Sequence, residues 1–140
     1  MNTTESAIEA AGYRMFARLL GATRLGGLLH GDDAYTIFAP TDAAFDKFPG
    51  GSIDALMKNA DLMRAVAAYH LAAGKVMSKR FAGVRIRANT VGGESLIIDG
   101  KKGLRVNSAN VVQPDVTIGK GVLHGIDGVL WPREPAVAAR

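Results

Sequence analysis

Residues 35–45 read Tyr35-Thr36-Ile37-Phe38-Ala39-Pro40-Thr41-Asp42-Ala43-Ala44-Phe45, and the reading of this stretch decides the fold. Its first five residues are mostly aromatic and β-branched, the composition of a short buried strand. Pro40 ends the strand, because it has no N–H for a ladder and biases the residue before it away from helix. Thr41 then stands as the N-cap of a helix, its hydroxyl able to accept an orphan N–H, and Asp42 puts negative charge at the favourable end of the helix dipole. With Thr41 as the cap, Pro40 and Phe45 occupy the two staple positions that fix the entry angle of the chain. One stretch ends a strand, turns a corner and starts a helix.

On its N-terminal side, Met15, Phe16, Leu19 and Leu20 fall at helical spacing, with Arg14 and Arg18 on another face. Gly26-Gly27 interrupts that pattern, Leu28-Leu29 adds one apolar turn, and His30-Gly31-Asp32-Asp33 reads as a loop. On the C-terminal side, Pro49-Gly50-Gly51 is a stop, Ser52 caps a short helix through Ile53, Leu56 and Met57, and Asn59 or Asp61 caps another through Leu62, Val66 and Tyr69. After Gly74 the period changes to two. Val84 and Ile86 alternate with Arg85 and Arg87, Ser95 to Asp99 is a short apolar run, and Asp99-Gly100 suits a hairpin turn. Leu104 and Val106, Val111 and Val112, and Val116 and Ile118 continue the series. Gly121 opens a last strand from Val122 to Leu130, closed by Trp131-Pro132. Helices first and short antiparallel strands afterwards indicate an α+β fold, with residues 1–140 as one domain and residues 1–3 and 135–140 frayed.

The 140 residues are 48% hydrophobic and 21% charged, ordinary values for a soluble globular protein. No apolar run approaches the roughly 20 residues that span a bilayer. The first ten residues lack the basic and apolar regions of a signal peptide. The chain is therefore expected to be either a mature exported form carrying an added Met, in the periplasm or at the cell surface, or a cytoplasmic protein. With no cysteine there is no disulfide, thiol nucleophile or thiolate metal site. Charge is unevenly spread: residues 1–74 carry 6 Lys/Arg against 8 Asp/Glu, and residues 75–120 carry 9 against 3.

Three ordered motifs resemble those of the fasciclin I (FAS1) domain family. They are Thr36 to Phe45 of the opening stretch, the pair Tyr69-His70, and Gly121-Val122-Leu123-His124-Gly125-Ile126-Asp127-Gly128-Val129-Leu130-Trp131-Pro132. Leu71 to Val76 is also similar to the family's continuation after the Tyr-His pair. The resemblance covers nearly the whole chain. It implies a β-sandwich-like wedge with helices packed on one side and around its edge, and a role in adhesion or surface binding, usually outside the cell. Gly125 and Gly128 depart from the family pattern, which more often has larger residues there.

The resemblance also singles out Tyr69-His70 as a partner contact, as proposed for integrin binding in the family. If the pair is extended, one ring faces the core and the other faces away; the plainer reading makes both structural. Gln113-Pro114-Asp115-Val116-Thr117 holds only part of another proposed integrin contact and reads more simply as a proline-initiated turn. His124 and Asp127, three apart on a strand, point to opposite faces and do not form the base and orienter of a triad. Asp127 is expected to bond N–H groups in the turn before Val129. No nucleophile elbow, phosphate loop or dinucleotide fingerprint is present, so a hydrolase, needing a histidine beside a carboxylate in a pocket, ranks below a binding module. His30, His70 and His124 lack metal-ligand spacing, and neither metal nor cofactor is expected. The basic segment is the second candidate contact: Arg85 and Arg87 share a strand face, and Lys101, Lys102 and Arg105 cluster at a neighbouring turn. Such charges guard an exposed strand edge, or they meet an anionic partner: a cell-surface protein, an acidic polysaccharide or a membrane surface. Nucleic acid is not expected, since few aromatic residues are available to stack on bases. A monomer is expected.

Overall fold

The structure, a computed structural model, describes residues 3–23, 34–46, 58–91, 95–101, 103–107, 109–118 and 121–130. The expected apolar turn at Leu28-Leu29, the loop at residues 30–33, the stop at 49–51, the helix capped by Ser52, the Trp131-Pro132 closure and the tail lie outside the described residues, as does Lys102.

Helices α1 (Thr3–Ala10) and α2 (Arg14–Thr23) meet at Gly12, whose φ of 106° suits glycine alone. There Gly12 N–H donates to Glu9 O and Tyr13 N–H to Ile8 O, a Schellman closure of α1. Phe16, Leu19 and Leu20 are buried on one face of α2, while Arg14 and Arg18 face solvent.

The opening stretch folds as β1 (Tyr35–Pro40) and α3 (Asp42–Asp46). Pro40 is the last residue of the strand, and Thr41 Oγ1 accepts the Ala44 N–H at 3.1 Å as the N-cap. Asp42 does more than favour its own helix. Its Oδ1 accepts the Met15 N–H at 2.9 Å, satisfying an orphan donor in the first turn of α2. Then come α4 (Ala60–Tyr69), β2 (Leu71–Ala73), α5 (Ser78–Phe81), β3 (Arg85–Asn89), β4 (Ser95–Asp99), β5 (Arg105–Val106), β6 (Ala109–Ile118) and β7 (Gly121–Ile126).

The strands form one seven-stranded sheet in the order β2-β1-β7-β6-β5-β4-β3. It contains a parallel pair, β1 on β7, where antiparallel strands were expected; the other pairs are antiparallel. The long β6 serves both halves, pairing β5 with Asn110 and Ala109 and β7 from Val111 onward. A bridge from Ala72 to Thr90, and the Val91 N–H on Leu71 O at 2.8 Å, bring the far ends together, so the sheet folds over on itself. The result is an α+β wedge with a sandwich interior.

Alternation along the central strands feeds two cores. Ile37 and Leu123 pack with Ile8, Phe16, Leu19, Leu20 and Val66 beneath the helices. Phe38 and Ile126 pack with Phe81, Leu96, Ile98 and Val106 between the sheet halves. Each such side chain is worth about 1.5–3 kcal/mol when fully buried.

Three local expectations change. The last strand ends at Ile126, where Asp127 turns to Asn110. The connection after Asp99 is longer than the two-residue turn expected, since β4 ends at Asp99 and β5 begins at Arg105, and Asp99 Oδ1 accepts the Lys101 N–H at 2.9 Å. Pro114 lies inside β6 at a register shift between Gln113 and Val116, so the expected turn is a bulge.

Candidate functional site

Tyr69 is the last residue of α4 and His70 the turn into β2, so the pair is not extended and does not split between two faces. Both are buried, His70 completely. The Tyr69 hydroxyl donates to Ser95 O and accepts from Asn107 Nδ2, each at 3.0 Å. The His70 ring bridges two distant backbones: Nδ1 lies 2.6 Å from Val66 O, and Nε2 accepts the Leu130 N–H at 2.9 Å. A carbonyl only accepts and an N–H only donates, so these partners fix the neutral Nδ1–H tautomer. Burial pushes the pKa of His70 down to about 4, against the Val66 bond, which favours the charged ring. The pair therefore offers no anchor ring at the surface. This corrects its expected place among the contact residues: ending a helix in a buried corner leaves neither side chain pointing outward.

His124 repeats the same design on β7. Its Nε2 donates to Val76 O at 2.7 Å and its Nδ1 accepts the Asp115 N–H at 3.1 Å, with Phe38 stacked on the ring and Phe81 edge-on. Burial lowers its pKa, partly opposed by Val76 and Asp115. Among the described residues a carboxylate approaches His124 from Asp115, with Oδ1 3.9 Å from Nδ1. Asp115 occupies the β6 bulge at a φ of 62° and accepts both the N–H of Ser78, at 2.7 Å, and its hydroxyl. Burial raises the pKa of Asp115, but the two Ser78 bonds, with His124 and Lys79, outweigh it and leave the carboxyl below its usual value. Serine, aspartate and histidine thus meet in the wrong order for nucleophilic catalysis: the serine bonds the carboxylate, and both nitrogens of the ring are committed to backbone. Asp127 bonds a backbone N–H, as expected in kind, but that of Asn110 across the sheet at 2.8 Å, with Asn110 Nδ2 on its other oxygen at 3.0 Å. Among the described residues no group of three or more His, Asp or Glu converges on a metal position.

The basic segment behaves differently. β3 is an edge strand, and Arg85 and Arg87 are exposed while Ile86 and Ala88 pack inward. Register places Arg85 opposite Asp99 and Asp99 opposite Arg105, so the three form one row across β3, β4 and β5 on the outer face. Lys101 is exposed at the end of the same hairpin. Among the described residues, none of these three arginines forms an ion pair. The structure thus brings Arg85, Arg87 and Arg105 to one outer face, with Lys101 exposed at the hairpin end, and leaves Tyr69 and His70 in the interior.

Two contacts had no usable signal in the sequence. Ser78 and Asp115 are 37 residues apart with no motif linking them. Tyr13 bonds Gln113 and lies over Gly125, where an added Cβ would come 1.8 Å from its hydroxyl. Gly125 therefore makes room for a ring. Burial also raises the Tyr13 pKa.

The sequence profile of the Fasciclin domain matches residues 11–132. Protein sll1735 of Synechocystis sp. is 31% identical over 129 residues, covering 92% of this chain and 96% of its own. The cell surface glycolipoprotein MPB83 of Mycobacterium bovis is 37% identical over 98 residues, covering 70% of this chain and 44% of its own. Among solved structures, a FAS1 domain pair from the insect cell adhesion molecule Fasciclin I matches with a TM-score of 0.63 at 22% identity, over 87% of this chain and 46% of that one. That last likeness is one of fold. No helix among the described residues is long and apolar enough to cross a membrane.

Proposed function

The chain belongs to the fasciclin-domain family, and from that premise we propose that it is a non-catalytic surface-interaction module that holds an acidic polysaccharide on the outer face of β3–β5. One observation carries the reading: Arg85, Arg87 and Arg105 are exposed on a continuous sheet face with no ion pair among the described residues. An exposed guanidinium is a strong, fork-shaped donor for carboxylate or sulfate groups. MPB83 is by name a cell-surface protein, which supports an extracytoplasmic setting. Tyr69 and His70 serve this function by holding the α4–β2 corner. The two buried neutral histidines, each spent on backbone, support the absence of acid–base chemistry.

Retention on immobilised polygalacturonate and heparin across a salt series tests the reading. Exposed charges are screened over about 30 Å at 0.01 M salt and about 3 Å at 1 M, so the protein elutes as salt rises. Failure to bind at low salt, or retention indifferent to salt, refutes it.

A further inference from the structure

We infer that Asp99 is a specificity-determining residue that divides the basic face into two separate loci and selects anionic polysaccharides whose charges are spaced along the chain over those densely charged. This inference rests on the reading of the face given above. Arg85 and Arg87 sit about 7 Å apart along one strand and form the first locus. Arg105 and Lys101, at the other side of the β4–β5 hairpin, form the second. Asp99 stands between them in register with both Arg85 and Arg105, which puts the two arginine Cα atoms about 10 Å apart with the Asp99 Cα between them. Its Oδ1 is held by the Lys101 N–H, so the carboxylate is fixed at the hairpin end and not free to swing away.

A polymer crossing the face from one locus to the other passes over Asp99. A chain with one carboxylate per disaccharide places a neutral sugar there, so its charges meet Asp99 only from the flanking arginines. A heavily sulfated chain places an anionic group there and is penalised. At about 5 Å in water-like dielectric, each such group costs roughly fourfold in affinity.

The test is equilibrium binding of the wild type and Asp99→Asn to hyaluronate and to heparin of matched length, at low ionic strength. The asparagine keeps an oxygen for the Lys101 N–H, and unchanged thermal unfolding verifies that the hairpin is intact; Asp99→Ser serves as a second neutral variant. The expected result is a rise in affinity for both polymers that is about fourfold or more greater for heparin than for hyaluronate. An equal rise for both polymers, or no rise for heparin, overturns the role of Asp99. A wild type that binds neither polymer overturns the reading of the face itself, and with it this inference.

Discussion

His70 makes a sharp prediction about acid. Its ring is fully buried, with Nδ1 donating to Val66 O and Nε2 accepting from Leu130 N–H. A protonated ring cannot accept from Leu130, so the folded protein resists taking up the proton. The folded pKa is about 4 against an ordinary 6.5. At 1.36 kcal/mol per unit this difference corresponds to about 3 kcal/mol. The pKa is lowered on folding, so the unfolded chain binds the proton first as pH falls. The stabilisation is complete above 6.5, declines through the window from 6.5 to about 4, and is spent below it. His124, also lowered by burial, acts in the same direction. A loss of about 3 kcal/mol is a large share of the 5–15 kcal/mol typical of whole proteins. Urea unfolding followed by far-ultraviolet circular dichroism at a series of pH values measures the slope. His70→Gln is expected to be less stable at neutral pH, yet its stability should fall less steeply through the window, by up to about 1.4 kcal/mol per pH unit. Equal steepness in wild type and variant would refute the buried neutral ring.

Two further perturbations test the scaffold. Phe38→Ala, in the centre of β1 and fully buried, is expected to cost about 3–5 kcal/mol in urea unfolding; a variant that kept full stability but lost binding would reverse the division between scaffold and contact face. Gly125→Ala drives a methyl group into Tyr13 and is expected to cost about 1–3 kcal/mol, with much of that recovered when Tyr13→Ala is added. Additive costs in that double-mutant cycle would mean the ring does not fill the space.

Sequence alone made some elements legible and others not, along a physical line. The strand, cap and helix of residues 35–46 were readable because Pro40, Thr41 and Asp42 act on their immediate neighbours. The alternation of Arg85 and Arg87 with Ile86 was readable for the same reason. The parallel pairing of β1 with β7 was not, because Thr36 and Val122 meet across 86 residues and nothing in either strand names its partner. Tyr69 belonged to a helix whose pattern was recognised, but the burial of the Tyr-His corner depends on Phe16, Ser95, Asn107 and Leu130 arriving from elsewhere. Gly125 read as a departure from a family pattern until Tyr13 was seen above it. The basic face was visible as a charge excess; its arrangement into a row divided by Asp99 required the register of three strands.

The most direct test of the central claim compares polysaccharide binding by Arg85→Ser/Arg87→Ser/Arg105→Ser with that of Tyr69→Phe, both verified as folded. All three arginines are exposed, whereas Tyr69→Phe removes only a buried hydroxyl bonded to Ser95 and Asn107. The account predicts that the triple variant loses salt-sensitive retention on polygalacturonate while Tyr69→Phe keeps it. Retention of the triple variant equal to wild type would contradict the account.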